Sequence, residues 1–204
     1  MRLLLIGDSV TDCGRARPVG GPDPAGLGDG YVRLLHERLA RSRPGWRLLN
    51  LGVSGDTVRH LAARWRRDVL ELAPDWLSVC IGINDVWRRF DATEDPLAAV
   101  PMDEFERVYD DLVGAVRPSL AGLVLVTPFH VQQDRDDPMR VAMDQCGHAV
   151  KRLARRHEAL LVDAQAIFDR ACAATPALEL AADRIHPTLA GHALLAAALA
   201  ETLA

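Results

Sequence analysis

The sequence predicts an α/β protein: a three-layer α/β/α sandwich around a five-stranded parallel sheet, in the flavodoxin-like order 2-1-3-4-5. Three observations carry this. Five short apolar runs alternate with longer stretches of helical period along the 204 residues. The runs are near-continuous rather than alternating, as expected of strands covered on both faces. The alternation βαβαβαβαβα calls for right-handed crossovers between parallel strands.

The first strand is expected over 2–7 (RLLLIG), then 47–52 (RLLNLG), 76–82 (WLSVCIG), 122–127 (GLVLVT) and 159–163 (ALLVD). The first helix, 30–42, places Tyr31, Leu34, Leu35 and Leu39 on one face. The next, 57–72, does so with Val58, Leu61, Trp65, Val69 and Leu72. A third, 103–117, uses Phe105, Val108, Tyr109, Leu112 and Val116, with Asp103 as N-cap and Pro118 as stop. Helices over 138–157 and 188–203 complete the set. The last is rich in Leu and Ala nearly all round, which suits burial or a subunit interface. No linker or internal repeat interrupts the pattern, so 1–204 reads as a single domain.

Apolar residues make up 49% and charged residues 25%, the balance of an ordinary globular chain. A net charge of −4 without a block of one sign argues against nucleic acid. The basic clusters RWRR (64–67) and KRLARR (151–156) fall in helical patterns and read as solvated faces. Cys13, Cys80, Cys146 and Cys172 form no CxxC pair, so neither a zinc ribbon nor a redox dithiol is expected. Neither HERLA (36–40) nor HEALL (157–161) completes H-E-x-x-H, and no metal or other cofactor is expected. Four apolar residues before Gly7 are too few for a signal-peptide core, and no stretch reaches membrane length. A cytoplasmic address follows as the expectation.

In an open α/β sheet, ligands bind beyond the carboxyl ends of the strands. Three small polar turns gather there: Gly7-Asp8-Ser9, NLGVSGDT (50–57) and GINDVW (82–87). Ser9 offers a nucleophile, which needs a base. Of seven histidines, His186 stands in ADRIHPT, where Pro187 biases it toward extended backbone and Thr188 can cap the following helix. Asp183, three residues earlier, is near enough to orient its imidazole. His130 follows the fourth strand and could line the cleft. Ser54 competes weakly as nucleophile, since GVSGD does not make a strand-to-helix elbow. The Gly-rich run 18–30 lacks G-K-[ST] and reads as a flexible rim, with Asp29 capping the helix of Tyr31.

GDSVT, NLGVSGDT, GINDVW and DRIHP, in that order, are similar to the four sequence blocks of the SGNH hydrolases, or GDSL-like esterases. The resemblance spans Leu5 to the final helix. It implies Ser9 as nucleophile, His186 as base and Asp183 as its orienting acid. It also implies an oxyanion hole from the backbone N–H of Ser9, that of Gly52 and the side-chain amide of Asn84. Asp8 would brace the nucleophile turn or face the substrate. Trp87, Arg88, Tyr31, Phe129 and His130 are further candidates for substrate contact, with core packing the rival for Tyr31 and Phe129 and a structural role, Trp87 wedged under the 91–101 loop, the equal rival for Trp87 and Arg88.

GDSVTDCGRARP, GYV, GINDVWRRFD, TPFH, DPMR, MDQ and DRIHPTLAGH further resemble the intracellular acetylxylan esterases of that superfamily. That implies an acetylated carbohydrate substrate and a homo-oligomer. The alternative is a broad acylhydrolase of the lysophospholipase or thioesterase kind.

Overall fold

A computed structural model describes residues 1–17, 24–91 and 99–204. Its five strands are β1 (Arg2–Gly7), β2 (Arg47–Gly52), β3 (Trp76–Cys80), β4 (Gly122–Val126) and β5 (Leu160–Val162). They are all parallel, in the order β2-β1-β3-β4-β5. The predicted sheet is therefore the observed one, with the third, fourth and fifth strands shorter than expected. Leu3 to Ile6 of β1 and Leu77 to Cys80 of β3 are wholly buried, which is why these strands read as unbroken apolar runs. β5 differs: it is an edge strand, and Leu160 and Leu161 remain exposed.

The helices α1 (Ser9–Asp12), α2 (Tyr31–Ser42), α3 (Val58–Trp65), α4 (Ile83–Trp87), α5 (Met102–Val116), α6 (Pro138–Arg156), α7 (Ala164–Ala171), α8 (Ala177–Leu180) and α9 (Leu189–Thr202) are interleaved with the strands. α9 packs on α2, α7 and α8 over one sheet face, while α3, α5 and α6 pack in series over the other. That division makes the three layers. α9 buries Leu195, Ala196 and Leu199, so much of its apolar surface is core.

Three local expectations are corrected. The helix expected over 57–72 is α-helical only to Trp65 and continues as a π-turn, Arg66–Leu70, in which Glu71 N–H donates to the Arg66 carbonyl five residues back. α5 starts one residue early, with Pro101 at the N-cap and Asp103 in the first turn. Gly30, not Asp29, caps α2, and Asp29 pairs instead with Arg33 one turn on. The rim expected over 18–30 falls partly, and the DATEDP segment (91–96) almost wholly, outside the described residues.

Arg64 is the main departure from the solvated basic faces. It is buried, and its guanidinium donates to Asp56 Oδ2 at 2.7 Å, Asp68 Oδ2 at 3.0 Å, the Leu51 carbonyl at 2.8 Å and the Gly7 carbonyl at 3.1 Å. It thus ties the ends of β1 and β2 together. The second cluster does lie on the surface: Arg152 pairs with Glu106 and Arg156 with Asp110. No helix among the described residues is long and apolar enough to cross a membrane.

Candidate active site

Register brings the three polar turns to one edge. Gly7 lies opposite both Gly52 of β2 and Cys80 of β3, so the segments leaving these strands emerge side by side. Ser9 is the first residue of α1, and Asp8 caps that helix by accepting from the Val10 N–H at 3.0 Å. The N–H of Ser9 itself, at a helix start, needs no intrahelical acceptor.

Ser9 Oγ lies 2.9 Å from His186 Nε2. On its far side, His186 Nδ1 donates to Asp183 Oδ2 at 2.6 Å. The carboxylate fixes the tautomer: the proton sits on Nδ1, leaving Nε2 to accept from the Ser9 hydroxyl. Asp183 Oδ1 also accepts the N–H groups of Ile185 and His186, at 2.9 and 2.7 Å. Burial pushes the Asp183 carboxyl up, but these bonds outweigh it and hold the group below the usual range.

The turn carrying the pair is closed locally. Thr188 N–H donates to the Leu180 carbonyl, Ala181 bridges to Pro187, and Arg184 takes a positive φ of 66°. Val131 N–H donates to the Arg184 carbonyl at 2.9 Å, so the segment after β4 braces the same turn.

Asn84 lies in the first turn of α4 and is nearly wholly buried. One proton of its amide is donated to the Asp56 carbonyl at 3.0 Å, which fixes the group and leaves its other N–H unassigned.

Gly52 does not fit the role the resemblance implied. Its N–H is donated to the Asn50 side-chain oxygen at 2.9 Å. Its Cα is pressed against α1, where an added Cβ would stand 2.1 Å from the Asp12 nitrogen. Gly52 is therefore required for close packing and offers no free donor. Directly after it, Val53 to Asp56 form a tight turn closed by Asp56 N–H donating to the Val53 carbonyl. Gly55 holds its third position with a φ of 86°, as a type II turn demands. The Gly55 N–H donates to no described residue, and an added Cβ would meet nothing within 4 Å. NLGVSGDT contains both glycines, and its length gave no means of choosing between them.

The remaining candidates divide. Trp87 lies at the site, its ring edge-on to His186 at 5.9 Å between centroids. Arg88 stacks over the Trp87 ring at 5.0 Å and is ion-paired with Asp91. Tyr31, Phe129 and Asp8 are wholly buried and cannot meet a substrate as placed. The Tyr31 hydroxyl is 3.0 Å from Thr11 Oγ1, and Phe129 stacks on Phe168 with centroids 4.4 Å apart. His130 is nearly buried, and its backbone N–H and carbonyl are both bound by the Gln165 amide. Burial also pushes its imidazole below the usual range.

Ser54 is no rival nucleophile, because its hydroxyl donates to Asp12 Oδ2 at 3.1 Å. Sequence reasoning passed over Asp85. It is wholly buried behind Asn84 and accepts from the Val58 N–H at 2.9 Å. Its place one residue after Asn84, in GIND, was the available signal.

Such an arrangement can do acyl-transfer chemistry. A hydroxyl is bonded to a base, the base to an orienting carboxylate, and N–H donors lie on neighbouring turns.

The comparisons with known proteins agree. A model of the GDSL-like lipase/acylhydrolase family matches residues 5–194. An acetylxylan esterase from Geobacillus stearothermophilus is 46% identical over 199 residues, covering 97% of this chain and 91% of the relative. The crystal structure of Axe2, an acetylxylan esterase from the same organism, superposes with a TM-score of 0.95 at 45% identity, over 99% of this chain and 93% of that one. Solved variants of Axe2 described as catalytic mutants replace a Ser, a His and an Asp by Ala. LAE5, an α/β hydrolase from the metagenome of Lake Arreo, matches with a TM-score of 0.94 at 44% identity, over 98% of this chain and 94% of that one. With its matching blocks spread across nearly the whole length, the chain belongs to the GDSL-like lipase/acylhydrolase family.

Proposed function

We propose that this protein is a serine esterase that removes acetyl groups from xylan-derived oligosaccharides. The observation that carries the chemistry is the unbroken chain from Ser9 Oγ through His186 to Asp183, at 2.9 and 2.6 Å. The substrate class is supported by the relative named an acetylxylan esterase, at 46% identity over nearly the whole chain.

In this reading Ser9 Oγ attacks the acetyl carbonyl carbon while its proton passes to His186 Nε2. Asp183 stabilises the imidazolium that forms. The oxygen of the tetrahedral intermediate is held by the N–H of Ser9, the N–H of Gly55 and the free N–H of Asn84. Gly55 is favoured by its unengaged N–H and open surroundings. The bond to the sugar oxygen then breaks, and His186 returns the proton to that oxygen. Water, deprotonated by His186, attacks the acetyl-Ser9 ester and releases acetate. Trp87 and Arg88 supply an aromatic face and a cation for a sugar ring beside His186.

Two further parts of the reading concern context. A reducing compartment such as the cytoplasm suits four free cysteines. Self-association suits the exposed Leu160 and Leu161 on edge strand β5; light scattering on the purified protein gives the oligomer mass.

Acetate release from acetylated xylo-oligosaccharides tests the function. The wild-type protein should release acetate and Ser9→Ala should not. Preference for octanoyl over acetyl esters would overturn the substrate class and favour a long-chain acylhydrolase.

A further inference from the structure

Asp8 and Asp85 are both wholly buried, one beside the nucleophile and one beside Asn84. They leave neighbouring strands, β1 and β3. Each uses one oxygen: Asp8 Oδ1 accepts from Val10 N–H at 3.0 Å, and Asp85 Oδ1 from Val58 N–H at 2.9 Å. The other oxygen of each, Oδ2, is buried with no hydrogen-bond partner. A buried carboxylate with an unpartnered oxygen is costly unless the group takes up a proton.

Their surroundings do not compensate. Asp8 faces Asp85 and Asp56, with the neutral Tyr31 of α2 and Cys80 of β3 nearby. Asp85 faces Asp56 and Arg59, with Tyr109 of α5 and Cys146 of α6. Arg59 forms a two-pronged ion pair with Glu104, and Arg64 is bound to Asp56, Asp68 and two carbonyls. No cation forms an ion pair with either acid among the described residues. Burial is the largest influence on both carboxyls and pushes each up to about 7.

Both acids act on the proposed donors. Asp8 caps the helix that begins at Ser9. Asp85 holds the first N–H of α3, tying α4 to the segment just after the 53–56 turn. Asn84 grips the same segment through the Asp56 carbonyl at 3.0 Å.

We propose that Asp8 and Asp85 are positioning residues that hold the oxyanion hole together as neutral carboxylic acids, and that losing their protons as the pH rises through neutrality loosens the hole and slows acyl transfer. This rests on the roles proposed above for Ser9 and Asn84. Two like charges in one buried region repel and draw water inward. The donor-bearing turns beside them then lose their fixed spacing, and the acetyl group is still bound but the oxyanion is not.

The test is the pH profile of kcat on p-nitrophenyl acetate for wild type, Asp85→Asn and Asp8→Asn, with Ser9→Ala as the blank. An amide keeps the oxygen that caps the helix and cannot ionise. The expected result is a fall in wild-type kcat as the pH rises through neutrality, which each variant moves upward by about one pH unit or more. Wild-type kcat without that fall, or variants that keep the wild-type limb, would overturn the proposal. Difference infrared spectra of the wild-type protein give a reading that survives misfolding of a variant. A protonated-carboxyl C=O band should be present in mild acid and vanish on raising the pH, and its absence would overturn the proposal. Activity in Ser9→Ala would instead overturn the nucleophile assignment, which separates the two failures.

Discussion

Replacing Asn84 with Ala probes the proposed oxyanion hole most sharply. Its amide donates one proton to the Asp56 carbonyl at 3.0 Å and lies almost wholly buried, so its orientation is set before substrate arrives. The free N–H then needs no reorganisation when the oxyanion forms. A preorganised donor of this kind contributes roughly 3–4 kcal/mol to the transition state, so kcat should fall about 10²–10³-fold. KM should change little, because the charge it meets exists only in the transition state. Asn84→Asp keeps the shape but replaces the donor with an acceptor, and should do at least as much damage. The assay is initial-rate hydrolysis of p-nitrophenyl acetate over a full substrate range, with thermal unfolding to confirm the fold. A fall in kcat under about fivefold, or a loss confined to KM, would remove Asn84 from the hole.

Other consequences follow from the same geometry. Asp183→Asn should cut kcat by about 10⁴-fold, because an amide no longer holds the proton on Nδ1; a loss near tenfold would show that His186 is oriented without it. Gly55→Ala should lower kcat and also cost about 1–2 kcal/mol of stability, since an L-residue is strained at a φ of 86°. Gly52→Ala should instead unfold the protein or shift α1, because its Cβ has no room; denaturant titration separates the two glycines. Arg64→Ala strands the buried Asp56 carboxylate and leaves Asp68 only its pair with Arg67, and should destabilise by roughly 3–5 kcal/mol in urea unfolding. The pH dependence of stability has two opposite signs. Asp183, held low, stabilises the fold above the ordinary carboxylate range, and that support is lost as the pH falls through its folded value. Asp8, pushed from 3.8 up to about 7, binds its proton more tightly when folded, so its contribution is lost as the pH rises between those values. Asp8→Asn should therefore remove a downward slope on the order of a few kcal/mol across that window, measured as unfolding free energy against pH.

The sheet was legible because its strands are buried on both faces and so appear as unbroken apolar runs. β5 departs only in the exposure of Leu160 and Leu161, which an edge strand permits. The Ser9, Asp183 and His186 positions were legible for local reasons: a polar break after an apolar strand, and a Pro-stiffened turn that holds an acid three residues before a base. What stayed hidden depends on contacts across the fold. Gly52 and Gly55 differ in whether the N–H is already bound, which only the Asn50 side chain reveals. Tyr31 and Phe129 stand close to the site in sequence pattern yet face inward. Arg64 lies in a surface-like basic cluster, but the two carbonyls and two carboxylates it binds come from four separate segments. Asp85 reads as an ordinary turn acid until its burial is known.

The central claim is that acetyl passes through Ser9. Rapid quenching during turnover of acetylated xylo-oligosaccharide, followed by mass spectrometry of the proteolysed protein, reads this directly. The account predicts one acetyl group on the peptide containing Ser9, forming within the first turnover and absent from Ser9→Ala. Acetate release at the wild-type rate with no acetylated Ser9 peptide, or with the acetyl on another residue, would contradict it.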